Sequence, residues 1–260
     1  MQESILMEQH RYFINMAYAG TAYHGWQIQP NAIGVQELLQ DALSLLLRTE
    51  TVVTGAGRTD TGVHAPMFCA HFDSGLTPDE IHRMQLPFRL NRILPPDIVV
   101  HDIIPVRPDA HARFSAINRT YAYYLATEKD PFKIETSWLF ERKLDLETMQ
   151  EAARRLSAHE DFACFARSGS QVRTTNCTIY KAAWTREHHM LIFEIQANRF
   201  LRNMVRALVG TMVDAGLGKI SPDEFEGIIL SRNRSKAGRS VPAQGLHLTG
   251  IEYPDDIFLR

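Results

Sequence analysis

The chain has 260 residues, 45% hydrophobic and 22% charged, the balance of a soluble globular protein with room for one large core or two small ones. No apolar run approaches the length of a membrane span, and Met1–His10, carrying Glu3 and Glu8, lacks the apolar core of a signal peptide. A formal net charge of −2 does not announce a nucleic-acid binder, and Cys69, Cys164 and Cys177 read as reduced residues of a cytosolic protein.

In chain order, Arg11–Tyr18 reads as a strand. Gly34–Leu47 reads as a helix, with Val35, Leu38, Leu39, Ala42 and Leu46 at helical spacing. Strand-like runs follow at Val52–Thr54 and Met67–Phe72. Thr77 and Pro78 form a helix start, Pro87 is expected to stop or kink that helix, and Pro95-Pro96 breaks the chain before a strand at Ile98–Val106. The second half repeats the order: a strand at Thr120–Ala126, a helix at Leu144–Leu156, then strands at Ala182–Arg186 and Met190–Ala197 around a polar turn. A helix follows at Leu201–Ala215, with Leu201, Met204, Val205, Leu208, Val209 and Met212 on one face. Gly216 and Gly218 end it, Ser221-Pro222-Asp223-Glu224 starts another, and Leu246–Tyr253 is the last strand. Two βαββαβ units predict an α+β fold of two ferredoxin-like halves, residues 1–110 and 111–260, forming an extended and mainly antiparallel sheet with helices packed on it.

The most informative stretch is Gly55-Ala56-Gly57-Arg58-Thr59-Asp60-Thr61-Gly62-Val63-His64-Ala65, a Gly-rich turn between apolar runs. A carboxylate near a guanidinium stays ionised at neutral pH, ready to attack or to stabilise cationic charge. The bland alternative is a hairpin-like turn with Arg58 and Asp60 as a solvated pair of little worth. Asp60-Thr61-Gly62 also matches the Asp-Thr-Gly of aspartic proteases, but the chain has no second copy, and Arg58 opposes the proton sharing those enzymes need.

Charge is unevenly spread. Glu128–Asp161 holds nine acidic and six basic residues, whereas Phe162–Thr185 and Ile228–Ser240 hold none of the acidic kind. Those two stretches carry Arg167, Arg173 and Lys181, and Arg232, Arg234, Lys236 and Arg239. Each is a solvated face or one wall of a cleft for a polyanion. Phe162–Thr175, without periodicity, is a plain surface loop or a basic one that closes over a ligand. Arg199, Arg202 and Arg206 recur at spacings that line one side of the Leu201 helix, with Arg206 at the edge of its apolar face, where the guanidinium needs a partner. In Arg119–Tyr124, alternation puts Tyr121 and Tyr123 on one strand face and Tyr124 on the other, as packing or as stacking platforms for bases. The histidines and cysteines lack metal-ligand spacing, so no metal is expected. Gly216-Leu217-Gly218-Lys219-Ile220 resembles a P-loop superficially but reads as a helix C-terminus.

Taken together, Tyr18–Gln27, Gly55–Ala65, His111–Ala116, Arg119–Tyr124, Phe200–Arg206 and Ala243–Leu246 closely resemble the motifs of the TruA family of tRNA pseudouridine synthases, over nearly the whole chain. The family often has Ala where this chain has Thr61. The resemblance implies cofactor-free isomerisation of uridine to pseudouridine at positions 38, 39 and 40 of the tRNA anticodon arm, by a cytoplasmic homodimer. It further implies Asp60 as the nucleophile, or as the base that removes the C2′ proton, and Arg206 as the basic partner of that carboxylate. Tyr121 would stack on the target base, and Arg58 would help extrude the nucleotide. A catalytically silent RNA-binding protein is the alternative, and would have no need of Asp60.

Overall fold

The computed structural model describes residues 9–167, 169 and 173–259. They form two compact units, Met1–Ile117 with Ile251–Arg260, and Asn118–Gly250.

In the first unit, β1 (His10–Tyr18) buries Tyr12, Phe13 and Ile14 in succession, as a strand covered on both faces must. It pairs antiparallel with β3 (Ala65–Ser74) on one side and β4 (Ile98–Val106) on the other. β2 (Thr54–Gly55) extends the sheet beside β3, in the order β2-β3-β1-β4. The helical layer is α1 (Val35–Leu47), α2 (Pro78–Arg83) and α3 (Leu86–Ile93). Thr77 caps α2 in a reciprocal box: its hydroxyl accepts from the Glu80 N–H, and Glu80 Oε2 accepts from the Thr77 N–H. Pro87 does not end this helix. The chain leaves α2 after Arg83, passes through Gln85 at φ 51, and uses Pro87 in the first turn of α3, where a missing N–H costs nothing.

In the second unit, β5 (Asn118–Ala126) pairs antiparallel with β8 (Met190–Ala197), which pairs antiparallel with β7 (Ile179–Glu187). β9 (Leu246–Glu252) lies against the other side of β5, as does β6 (Trp138–Leu139), a parallel two-residue strand too short to carry a periodic signal. The helices are α4 (Leu146–Arg155), α5 (Met204–Gly216) and α6 (Pro222–Ser231). α5 is buried on nearly every side, and Trp184 of β7 donates its indole N–H to the Met212 sulfur at 3.4 Å. Gly218, at φ +71, ends α5, so the P-loop-like segment is a helix C-terminus as expected.

Each unit is thus α+β, and in each the four main strands run second-third-first-fourth, the ferredoxin-like order. The sheet is two sheets, one to a unit. The chain end from Ile251 belongs with the first unit because its side chains are anchored there. The Tyr253 hydroxyl donates to the Ala112 carbonyl at 2.6 Å, Phe13 packs edge-on against Tyr253 and Phe258, and Arg107 pairs with Asp256 at 2.9 Å.

Candidate active site

The turn from Gly55 to Ala65 joins β2 to β3. The Ala56 N–H donates to the Cys69 carbonyl at 2.8 Å, closing its base. The Val63 N–H donates to the Asp60 carbonyl at 3.1 Å, and Gly62 stands at φ +77, so Asp60-Thr61-Gly62-Val63 has the arrangement of a type II turn. Its third position demands a positive φ, which is why glycine is there. Burial alternates along the turn: Thr59, Val63 and His64 are buried, Asp60 is half-buried, and Arg58 and Thr61 are exposed. A turn held from beneath therefore presents a carboxylate at the surface.

The hold comes from the segment after β1. The Thr59 carbonyl accepts from the Trp26 N–H at 3.4 Å, the Gly62 N–H donates to the Tyr23 carbonyl at 3.3 Å, and the Gly20 N–H donates to His64 Nδ1 at 3.2 Å. Gly25, at φ +88, lies so close that a Cβ there would stand 2.3 Å from the Thr59 oxygen. Trp26 packs on Phe68 with centroids 4.2 Å apart, and Tyr18 meets both rings. These contacts set Tyr18–Gln27 directly against the Asp60 turn. Sequence reasoning gave Tyr18 and Trp26 no place beside the turn, since the contacts cross about forty residues of chain. Arg58 is exposed and pairs with no carboxylate among the described residues, so the solvated Arg58–Asp60 pair of the bland alternative is not formed.

In the second unit, Tyr121 and Tyr123 share a face of β5, as alternation requires, and differ in burial. Tyr121 is half-exposed, opposite Ile195, and stands edge-on to Phe200 at 5.1 Å. Tyr123 is fully buried, and its hydroxyl donates to the Pro242 carbonyl at 2.9 Å. Burial pushes the Tyr123 phenol far above its ordinary range, and the Arg206 guanidinium opposes that rise. Arg206 is half-buried in the first turn of α5, where its Nε donates to the Val241 carbonyl at 2.7 Å. The Val241 N–H returns a bond to the Arg206 carbonyl at 3.2 Å.

The three arginines do not line a helix face. Asn203, at φ 67, sets the start of α5 at Met204, which leaves Arg199 and Arg202 in the preceding turn and Arg206 alone on the helix. A left-handed residue there ends the helical path that periodicity alone extends back to Leu201.

Arg167, Arg173, Arg202 and Lys236 are exposed. Arg232 is exposed too, with its Nε 2.9 Å from Asp161 Oδ2. Arg234 is half-buried and donates to the Ala237 and Gly238 carbonyls at 3.3 and 3.2 Å, so it shapes its own loop. Asp161 Oδ1 accepts from the Thr175 hydroxyl at 2.7 Å and the Ala163 N–H at 3.0 Å, which clips together the ends of the Phe162–Thr175 stretch. With Arg232, these donors hold the Asp161 carboxyl below the usual range. Ser168, Ser170, Gln171 and Val172, on which the expected closing loop falls, lie outside the described residues.

Among the described residues no group of His, Cys, Asp or Glu is arranged to hold a metal ion. Burial pushes the Cys69 and Cys164 thiols up to about 12 and Cys177 to about 11, which leaves them poor nucleophiles. No helix among the described residues is long and apolar enough to cross a membrane.

Residues 152–254 match the sequence profile of the tRNA pseudouridine synthase family. A tRNA pseudouridine synthase A of Bacteroides fragilis is 49% identical over 253 residues, covering 97% of this chain and 100% of its own. Proteins of the same name from Parabacteroides distasonis and a Thermoanaerobacter species are 46% and 42% identical, over 95% and 92% of this chain and 98% of each of theirs. A dye-decolorizing protein from V. cholerae aligns at 10% identity over 82% of this chain and 88% of its own, with a TM-score of 0.21, too low to inform fold or function. At 42 to 49% identity across nearly its full length, and with the Asp60 turn presented as it is, this chain belongs to the tRNA pseudouridine synthase A family.

Proposed function

We propose that this protein isomerises uridine to pseudouridine at positions 38, 39 and 40 of the tRNA anticodon stem-loop, in the cytoplasm, as a homodimer and without a cofactor. The observation that carries this reading is the Asp60 turn: Thr59 before it and Val63 and His64 after it are buried, its backbone is hydrogen-bonded, and half-buried Asp60 keeps access to the surface. A carboxylate so held can act on a nucleotide that has left the base stack. In the reaction the C1′–N1 bond breaks, the base turns, C5 joins C1′ and gives up its proton, and N1 takes up a proton, so that the product is an isomer of the substrate. Attack by the Asp60 oxygen at C1′ gives a covalent glycosyl intermediate, while its removal of the C2′ proton gives a glycal. Both routes begin with the same short carboxylate.

The other assignments rest on the family motifs. Arg206 supplies the positive charge that serves the catalytic carboxylate, Tyr121 stacks on the target base, and exposed Arg58 helps extrude the nucleotide. The half-exposed ring of Tyr121, unlike the buried Tyr123, leaves surface for such stacking. The candidate phosphate contacts are Arg167, Arg173, Arg202, Arg232, Arg234 and Lys236, of which Arg232 must leave Asp161 and Arg234 its own loop to take part.

Asp60→Asn tests the reading. The expected result is loss of pseudouridine formation on unmodified tRNA, mapped at the anticodon arm, with tRNA affinity kept within about threefold. Retained isomerisation would overturn the role of Asp60. An unmodified arm with wild-type protein, tRNA being bound, would favour the silent RNA-binding alternative.

A further inference from the structure

We infer that the buried hydroxyl pair of Tyr18 and Thr59 positions the Asp60 carboxylate, so that both are positioning residues for the isomerisation. The inference rests on the proposed role of Asp60 and adds what aims it. Thr59 precedes Asp60 and is only 9% exposed; Tyr18, at the end of β1, is 4% exposed. Their hydroxyl oxygens lie 2.9 Å apart in hydrogen-bond contact, in the buried layer beneath the turn.

Thr59 is constrained at both ends. Its carbonyl takes the Trp26 N–H and abuts Gly25, while its side chain is joined to Tyr18. Tyr18 is itself fixed by the rings of Trp26 and Phe68, at centroid distances of 6.3 and 5.5 Å, and by β1 pairing with β3 through Tyr18 and Ala65. With Thr59 held at oxygen and side chain, little freedom remains in the peptide that leads to Asp60. Valine fills the same volume as threonine but lacks the hydroxyl, so it would leave the Tyr18 oxygen without this partner and unpin the side chain. Burial alone does not need a hydroxyl at residue 59. A pinned backbone one residue before a reacting carboxylate does.

The test uses the full-length protein with unmodified tRNA, measuring single-turnover rate and tRNA affinity separately, with thermal unfolding to confirm folded enzyme. Thr59→Val and Tyr18→Phe are each expected to lower the single-turnover rate by about 10- to 100-fold, the effect of roughly an ångström of misplacement, with affinity within about twofold. The double variant should lose little more than either single one, because the two hydroxyls act as a unit. Thr59→Ser, which keeps the hydroxyl, should stay within about threefold of the parent. The inference is overturned if Tyr18→Phe reacts at the parental rate, if the loss appears in affinity instead of rate, or if Thr59→Ser falls as far as Thr59→Val. Should Thr59→Val not fold, Tyr18→Phe and Thr59→Ser decide the question by the same criteria. Asp60→Asn, run alongside, separates the two failures. If it stays active, the underlying reading fails; if it is inactive while Tyr18→Phe and Thr59→Ser both match the parent, only this inference does.

Discussion

At the scale of single residues, the turn makes a demand on carboxylate length. Asp60 projects from the first position of a turn whose backbone is fixed by Tyr23, Trp26 and Val63. An added methylene therefore cannot be absorbed by backbone movement, and Asp60→Glu should lower the single-turnover rate at least about 100-fold with tRNA affinity unchanged. Near-parental rates for that variant would remove the case for a geometrically fixed carboxylate. His71 makes a different demand. It is buried beside His111, Arg11 and Asp73, its Nδ1 accepts from the Ala112 N–H at 3.2 Å, and burial, then the nearby positive groups, lower its pKa to about 4. The unfolded chain takes up this proton near the ordinary histidine pKa of about 6.5 and the folded chain does not, so stability is full above that pH and falls as pH drops towards about 4. Allowing for solvent screening, the loss is roughly 1 to 2 kcal/mol. Urea unfolding at stepped pH should show it, and His71→Gln, which keeps an acceptor without the titration, should flatten the slope. Asp73, held below its ordinary range by Arg11, weakens folding only at still lower pH.

At the scale of elements, α5 shows how a helix is placed by what lies on it. Gly210 faces the chain segment that follows α6, and a Cβ there would come 1.8 Å from the Arg239 carbonyl oxygen. That segment continues to Val241, which holds Arg206 by two hydrogen bonds, and to Pro242, which receives the Tyr123 hydroxyl. Gly210→Ala should therefore do more than raise helix propensity. It should cost at least about 2 kcal/mol of stability and disturb Arg206, which calorimetry and single-turnover kinetics would both register. A neutral or stabilising result would mean the segment can lift away freely. By contrast, Ser221 caps α6 in a reciprocal box with Glu224, far along the chain from the Asp60 turn. Ser221→Ala should cost about 1 kcal/mol of stability and leave the rate per folded molecule intact.

At the scale of the whole molecule, the question is how a protein of net charge −2 holds a polyanion. Exposed Arg167, Arg173 and Lys236 have the freedom to neutralise phosphates, whereas Arg232 sits on Asp161 and Arg234 is built into its loop. Affinity for tRNA should fall steeply with salt as counterions are released. Replacing Arg167, Arg173 and Lys236 together should flatten that slope by up to about three phosphate contacts and weaken different tRNAs by similar factors, since phosphates carry no sequence information. Asp60→Asn should leave the slope alone. Salt-insensitive binding would show that the acid-free stretches are ordinary solvated surface.

The sequence by itself determined whatever depends on neighbours along the chain. Spacing placed β4 at Ile98–Val106, the cap at Thr77, the helix start at Ser221-Pro222, the end of α5 at Gly216 and Gly218, and the shared face of Tyr121 and Tyr123, because each is set within a few residues. Periodicity ran α5 back to Leu201, however, since it cannot sense the left-handed Asn203 that starts the helix at Met204. Only the tertiary structure decided that Tyr18 meets Thr59, that Arg206 lies by Val241 and near Tyr123, and that the chain end from Ile251 belongs with the first unit. Those facts arise from hydrogen bonds and packing between segments distant in sequence. No local pattern encodes such pairings, because loop closure brings the partners together only once the sheets have formed.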